Sequence, residues 1–520
     1  MRRLGIDVDL SCRILENYNA GKYDHFVPVK VTGIPEIDGK QIIDITKTVA
    51  ETYDYRKAQS RIDRLGVSID IRTIGKVEGP QIVFDQTALR KLGILLYPLL
   101  SYGVLNGGSA SSYVDFKKNE SFSPALFNIC GKEFASIEAV SKGKAKGITP
   151  AFINGDGSHG PSFLELKMRS VLIEALRYRA FTGSGIKFKN PMFQMTSVYN
   201  NDEIKETYSS YKISTFLEDL IKETGCDITD VATGIQPMLA AFTHSSEGRP
   251  KGFFLKANGK ENSPLPMPGG HGQNFTYLKK VYNDLYNAGK RFVYLGNVDN
   301  LGFTINPVCL ALLALSGCNA GFEFAFKTKV DVKGGILIID QNNRLNCADI
   351  GAAISKDEIS QLEQQGNRIL FNVATGLFDL EYLVNNLDTI AAKLPMRISD
   401  QDKDTGKYSQ AEQVTWEVIS ILDKTLIFGV DKYSRFLASK LLVEGLMASG
   451  VGLGHPDYPK DSDPEKDLSS IALNLANGLK KQLSTAYGLE KQGGVRVPKS
   501  SSELFRELTA DPLHNLINIG

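Results

Sequence analysis

The apolar run Phe292-Val293-Tyr294-Leu295 stops abruptly in Gly296-Asn297-Val298-Asp299-Asn300-Leu301-Gly302, and this junction constrains the fold more than any other stretch. The apolar residues read as a buried strand. A carboxylate and two amides then stand at its carboxyl end, the edge where ligands sit in open α/β sheets. Such an ending suggests a metal or phosphate site, although Asn, Asp and Gly also build ordinary turns. The same alternation recurs along the chain. Residues 92–105 are apolar and run into Asn106-Gly107-Gly108, as a strand entering a glycine turn. Residues 163–177 space Leu and Met helically after Pro161. Phe193-Gln194-Met195-Thr196-Ser197-Val198 reads as a strand, residues 275–288 as a helix stopped by Gly289, and residues 310–315 as part of a buried helix. Phe322-Glu323-Phe324-Ala325-Phe326 alternates as a strand with one buried face, and Gly334-Gly335 turns into a strand at 336–339. Strands alternating with helices predict an α/β domain with a mainly parallel sheet.

The chain has 520 residues, a formal net charge of +1 and 42% hydrophobic residues. That is globular composition with room for two or three domains. We read an N-terminal α/β extension at 1–85, a main α/β domain at 86–447 and a small helical C-terminal appendage at 448–520, within which 461–467 is charged and polar like a linker. The balanced charge argues against a nucleic-acid partner, leaving room only for a local basic cleft. Six cysteines are scattered with no Cys-x-x-Cys pair, so neither a zinc site nor a disulfide framework is indicated. Reduced thiols in a cytoplasmic protein are the expectation. No stretch resembles a signal peptide or a membrane span, so no membrane partner is expected.

Several segments carry groups that chemistry could use. Gly107-Gly108 brings backbone N–H groups within reach of a phosphate or base, or simply makes a tight turn. With no Gly-Lys-Ser/Thr it is not a P-loop. Pro268-Gly269-Gly270-His271-Gly272-Gln273 allows both backbone and imidazole to face a ligand, or holds a structural histidine. The remaining histidines (His25, His159, His244, His455, His514) show no pairing, which gives a histidine metal cage or a Ser-His-Asp triad little support. Lys144-Ala145-Lys146-Gly147, the run from Lys327 through Lys329, Asp331 and Lys333 to Gly335, and Arg435 through Lys440 are cationic spots, each phosphate-facing or merely solvated.

Taken in order, Leu105-Asn106-Gly107-Gly108, Pro268-Gly269-Gly270-His271-Gly272, Asn297-Val298-Asp299-Asn300-Leu301-Gly302, Lys327-Thr328 with Asp331-Val332-Lys333-Gly334-Gly335, and Ser434-Arg435-Phe436-Leu437 with Lys440 resemble the UDP-glucose pyrophosphorylase family of UTP–hexose-1-phosphate uridylyltransferases. The resemblance spans roughly 100–445. It implies a Rossmann-like nucleotidyltransferase domain with a mixed, mainly parallel sheet. It implies the reaction of UTP and a sugar 1-phosphate to UDP-sugar and pyrophosphate, with Mg²⁺ and with glucose 1-phosphate as the first acceptor to expect. N-acetylglucosamine or galactose 1-phosphate, or a UDP-sugar-binding protein without turnover, are the alternatives. Carried over by position, Gly107, Gly108, Met195, Gln236 and Gly270 would line the uridine pocket, with Gln236 reading the uracil edge. His271, Asn297, Glu323 and Asn372 would face the sugar or its phosphate, Asp299 would bind the metal, and Lys327 and Lys440 would hold phosphates. The chain departs from the family after the double glycine. Where the family has Leu-Gly-Thr and then Lys-Gly-Pro-Lys, this chain has Ser109 to Lys118 without a third glycine or a correctly spaced lysine. Either Lys117 or Lys118 fills the place, or an insertion spans 115–143 and Lys146 resumes the pattern; the helix expected after Phe163 favours Lys146. Eukaryotic members end in a left-handed β-helix, which the leucines of the tail do not fit.

Overall fold

The computed structural model describes residues 1–520 except 24–28, 186–187, 190, 329–330, 332–333, 404, 465 and 514–520. Lys329, Lys333, His25 and His514, singled out above, therefore lie outside the described residues.

The core is a twisted sheet of strands β1 (Ile42–Asp44), β2 (Leu100–Leu105), β3 (Met192–Ser197), β4 (Ala232–Gln236), β5 (Phe292–Asn297), β6 (Ala320–Phe326), β7 (Leu370–Asp379) and β8 (Thr425–Val430). Their spatial order is β1-β8-β6-β7-β5-β2-β3-β4. Neighbours run parallel except at β7, which is antiparallel to both β5 and β6. The sheet is thus mixed and mainly parallel, as expected. Register aligns the carboxyl ends: Asn297 lies opposite Leu105, Leu105 opposite Met195, and Ser197 opposite Gln236. Because β7 is reversed, its beginning shares that edge, and Asn372 lies opposite Phe324. A Gly335–Asp340 and Leu345–Asp349 hairpin extends off β7.

Helices α1 (Gln86–Leu95), α2 (Phe163–Thr182), α3 (Pro307–Ser316), α4 (Leu442–Ala448), α5 (Leu468–Thr485) and α6 (Ser501–Ala510) complete the frame. In α2, Ser162 and Glu165 form a reciprocal capping box, and Gly183 ends the helix in the left-handed conformation, satisfying end groups that would otherwise be orphaned. α3 starts with the Asn306 cap and Pro307 and stops at Gly317. α1 meets α3 backbone to backbone, since a Cβ on Gly93 would stand 2.0 Å from the Pro307 carbonyl oxygen.

Five expectations need correction. The apolar run at 92–105 is not one strand: α1 ends at Leu95, Pro98 lies in a short turn, and β2 begins at Leu100. Proline cannot continue the helix, so a single apolar run changes element there. The alternating strand at 322–326 is buried on both faces, with Phe322 and Phe324 in one core cluster and Ala325 in the other. The helix at 275–288 is broken at Leu278. The C-terminal segment is not a detached helical appendage. After α5 it makes a Leu489–Gln492/Val495–Pro498 hairpin and then α6, and Tyr487, Leu489, Leu504 and Leu508 belong to the main core. The N-terminal extension is likewise built in, since β1 completes one edge of the sheet. Among the described residues no helix is long and apolar enough to cross a membrane.

Candidate active site

Beyond β2 the chain makes the Gly107-Gly108 turn, departs, and returns beside it. Three helices, Phe116–Phe122, Pro124–Ile129 and Gly131–Ser141, fill the excursion. They pack Leu126, Phe127 and Phe134 against Leu442, Val443 and Leu446 of α4. On return, the Ala110 N–H donates to the Lys144 carbonyl (2.9 Å) and the Lys146 N–H to the Gly108 carbonyl (3.0 Å). Lys146 therefore stands next to the glycine turn in space despite the intervening helices. Its ammonium lies 2.5 Å from Asp299 Oδ2, donates to the Ser439 carbonyl and sits 4.6 Å from the centre of the Tyr113 ring. Lys117 and Lys118 are exposed, and the Lys118 ammonium reaches only Ser112 Oγ at 3.3 Å. Of the candidate lysines, the structure brings Lys146 to the site. Gly147 makes the approach possible: a Cβ there would stand 2.1 Å from Asn106 Oδ1.

The junction after β5 divides its labour residue by residue. Asp299 points outward, its side chain 19% exposed. Asn300 points inward with no exposure. Its amide donates to the Arg435 carbonyl (3.0 Å) and its oxygen accepts from the Leu437 N–H (2.9 Å). The Leu301 N–H donates to the Leu437 carbonyl at 3.1 Å. Gly302 has no room for a side chain, since a Cβ would lie 2.3 Å from the Arg435 carbonyl carbon. Two loops distant in sequence are thereby stapled together. From below, the buried Lys167 ammonium of α2 donates to the Asn300 carbonyl and, at 2.7 Å, to the Phe303 carbonyl.

The base-pocket candidates converge at the far end of the same edge. Gln236 Nε2 donates to the Gly270 carbonyl and to Gln273 Oε1, both at 2.8 Å. Those bonds use both amide hydrogens. Oε1 is left towards the glycine turn, 3.6 Å from where a Gly107 Cβ would stand. Gly108 borders open space. Gly270 has φ 81°, and a Cβ on it would collide with the Gln413 carbonyl oxygen at 2.3 Å. Met195 departs from expectation: its side chain is 2% exposed and packs in the core, so only its backbone, whose carbonyl accepts from the Asn106 N–H, borders the turn. The Thr415 N–H donates to His271 Nδ1 at 3.1 Å, which leaves the proton on Nε2 in the neutral ring. Burial, reinforced by the Arg397 charge, lowers the His271 pKa to about 4.

The remaining candidates separate into those at the edge and one that is not. Asn297 ends β5, and Asn372 lies near the start of β7 with its oxygen accepting from the Ala374 N–H at 2.9 Å. Glu323 does not face the edge as a free ligand. It is 1% exposed, accepts from both sides of the Arg435 guanidinium (2.8 and 2.6 Å) and receives the Tyr294 hydroxyl. A carboxylate on a strand buried on both faces needs such a partner, so its assignment to the sugar is corrected to a core ion pair. Burial works against the Arg435 charge, yet Glu323 holds its pKa above the usual guanidinium range. Lys327, just past β6, pairs with Glu363 Oε1 at 3.0 Å. The Lys440 side chain is exposed, and its backbone N–H donates to Glu444 Oε2 at 2.7 Å. Lys440 directly follows Ser439, whose carbonyl accepts from Lys146, so its backbone, not its ammonium, is what the structure ties to Lys146.

Residues 251–450 match the family model described as UTP--glucose-1-phosphate uridylyltransferase. This segment is similar to the UDPGP family. The chain is 27% identical over 235 residues to a UTP--glucose-1-phosphate uridylyltransferase of Hordeum vulgare, covering 43% of this chain and 49% of that protein. It is 26% identical over 236 residues to the enzyme of that name from Solanum tuberosum, with the same coverage. The chain thus spans about half the length of the relatives it matches. Its fold is similar to that of the uridine diphosphate N-acetylglucosamine pyrophosphorylase of Trypanosoma brucei in complex with inhibitor, at 13% identity and a TM-score of 0.55 over 96% of this chain and 88% of that one.

The glycine turn and Lys146 lie upstream of the UDPGP match, yet the fold delivers them to its Asp299. Two functional candidates escaped the sequence reading. Lys432 is 8% exposed, pairs with Asp331 and donates to Thr328 Oγ1 at 3.1 Å. Burial lowers its pKa, opposed by Asp331, and the neighbouring Lys327 lowers it further. It follows the end of β8, the same sheet-edge signal that marked Asp299. Lys167 hides in a helix buried on every side from Phe163 to Tyr178, where helical periodicity gives no sign of a charge's partner.

Proposed function

We propose that this chain transfers the uridylyl group of UTP to a hexose 1-phosphate, with glucose 1-phosphate as the acceptor. A sugar-phosphate oxygen attacks the α-phosphorus of UTP, the bond from that phosphorus to the bridging oxygen of the β-phosphate breaks, and pyrophosphate leaves. No covalent enzyme intermediate is required. The work left to the protein is alignment of two anionic substrates and neutralisation of their charge. One observation carries the reading: Lys146 reaches Asp299 from beside the glycine turn, while also touching the carbonyl that precedes Lys440. A glycine turn, a carboxylate and the Lys146 ammonium from remote segments thus meet at one sheet edge, beside the backbone that leads into Lys440.

Mg²⁺ belongs to the proposal. Among the described residues there is no group of three or more His, Cys, Asp or Glu side chains that could hold a metal alone. Asp299 offers a single partly exposed carboxylate, which suits an ion that keeps several waters and arrives with substrate phosphates. Bound there, Mg²⁺ would neutralise phosphate charge. Lys146 and Lys440 would then hold phosphate oxygens, with Lys327 and Lys432 as the cations next along the edge. Gln236 Oε1 would accept the N3–H of uracil, which cytosine lacks. The neutral His271 would offer Nε2–H to the sugar or its phosphate. All six cysteines are unpaired, which supports a reducing, cytoplasmic setting.

The test uses purified protein, UTP, Mg²⁺ and separate glucose, galactose and N-acetylglucosamine 1-phosphates, with pyrophosphate release as the readout. Release with glucose 1-phosphate several-fold faster than with the others is the expected result. Faster release with another sugar keeps the reaction and changes the acceptor. No release with any sugar, together with UDP-glucose binding, would reduce the chain to a binding protein.

A further inference from the structure

The C-terminal segment places a side chain beneath the loop that carries Asp299. Tyr487 follows α5 and is fully buried. Its hydroxyl donates to the Leu301 carbonyl at 2.8 Å and accepts from the Lys167 ammonium at 3.3 Å. Lys167, also fully buried, donates to the Asn300 and Phe303 carbonyls. The carbonyls of Asn300, Leu301 and Phe303 therefore converge on two side chains from outside the loop. Tyr487 is itself anchored, since its carbonyl accepts from Arg169 Nε at 2.6 Å. The Gln482 amide donates to the Ser434 carbonyl at 2.7 Å, tying α5 to the loop stapled against Asn300.

We propose that Tyr487 and Lys167 are positioning residues for Asp299, fixing the backbone beside the carboxylate so that it meets a phosphate-bound divalent cation in one orientation. This rests on the reading of Asp299 as the metal anchor. Apolar packing alone could fill the space under the loop at lower cost, because a buried ammonium loses its hydration. What the polar pair adds is direction. Each carbonyl is held along its own hydrogen bond, and the Asn300–Leu301 peptide, one residue past Asp299, is fixed at its oxygen. Burial and the Arg435 charge both disfavour the Lys167 ammonium, whereas Asp299 favours it. The cation is thus electrostatically coupled to the carboxylate whose loop it holds. Groups behind a metal ligand typically change metal affinity by about 10–100-fold when removed.

The discriminating experiment measures Mn²⁺ binding to the full-length protein saturated with UTP, following free Mn²⁺ by electron paramagnetic resonance. UTP binding without metal and the thermal midpoint are measured alongside. Tyr487→Phe retains the ring and removes the hydroxyl. We expect it to weaken Mn²⁺ binding by about ten-fold and to raise the half-saturating Mg²⁺ concentration in turnover by the same factor, with metal-free UTP binding unchanged. Lys167→Met should do the same if it folds; Tyr487→Phe carries the test if it does not. A lowered thermal midpoint with wild-type Mn²⁺ affinity in Tyr487→Phe would reduce the pair to fold stabilisers and overturn the proposal. Asp299→Asn separates the two levels. If it loses Mn²⁺ while Tyr487→Phe does not, positioning fails and the metal anchor stands. If Asp299→Asn binds Mn²⁺ as tightly as wild type, the anchor fails and the proposal with it.

Discussion

Lys146 is held by a carboxylate, a carbonyl and an aromatic face, an arrangement that orients the ammonium and pairs its charge with Asp299. Two bound phosphates would enlarge the anionic field it meets. Removing a fixed charge that stabilises a transition state costs about 3–4 kcal/mol of barrier, so Lys146→Ala should lower kcat by two to three orders of magnitude. Lys118→Ala should leave it near wild type, because that ammonium is exposed and touches only a serine. Steady-state rates of the two variants decide the assignment, and a wild-type rate in the first would remove Lys146. Gln236→Ala should cut the preference for UTP over CTP by about ten-fold or more, since a base edge would lose its buried partner; competition between the two nucleotides reads this directly. His271 makes a pH prediction. Its ordinary pKa of 6.5 falls to about 4 in the fold, so between those values the unfolded chain binds the proton that the folded chain refuses. Stability from this residue is present above pH 6.5 and is lost as pH falls towards 4. Denaturation midpoints across that window should slope less in His271→Gln; an unchanged slope would show that the ring titrates normally.

At the scale of elements, the junction after β5 was legible because its chemistry is local: an apolar strand, then Asp and Asn, then glycine. The reason Asn300 and Gly302 are needed was not legible, because their partners, Arg435 and Leu437, lie beyond β8. The insertion containing the helices from Phe116 to Ser141 was inferred from a missing lysine, and the pairing of Ser109 with Ala145 closes it where the pattern resumes. Glu323 was misplaced because a motif position states a residue's order and says nothing of its face. The strand is covered on both sides, and Arg435 claims the carboxylate. Met195 failed for the same reason. Gly302→Ala tests the element-level argument. The new methyl would press on Arg435 backbone, which has no rotamer to yield, so the stapled loops must separate. A stability loss of about 1–3 kcal/mol is expected from such overpacking, together with reduced turnover as Asp299 and Ser439 move apart. Chemical denaturation and steady-state rates measure both, and wild-type values in both would show that the loops are not tightly joined.

Across the whole molecule, sequence pattern identified the α/β class and the sheet edge that carries Asp299, but it mistook the ends of the chain for additions. The error has a physical source. Short strands such as β1 carry too few residues to show a period, and leucines at helical spacing look alike whether the helix is peripheral or covers a core. In the fold, β1 closes one edge of the sheet, while Tyr487, Leu489, Leu504 and Leu508 sit in the main core beside α2. Arg169 of α2 makes the dependence plain, since its guanidinium donates to the carbonyls of Tyr487, Gly488 and Lys499. Without that segment the guanidinium would keep the Phe216 carbonyl but lose these three acceptors, and Lys167 would lose its tyrosine. Each hydrogen bond lost by a charged group costs about 1.5–3 kcal/mol, before the exposed leucines are counted, and a typical domain has only about 5–15 kcal/mol in reserve. A chain ending at residue 467 should therefore lack a cooperative thermal transition and bind no UTP, whereas a true appendage could be removed with both intact. Calorimetry of the truncated chain distinguishes these outcomes: a sharp transition near the midpoint of the untruncated chain would mean that the domain folds without its last helices.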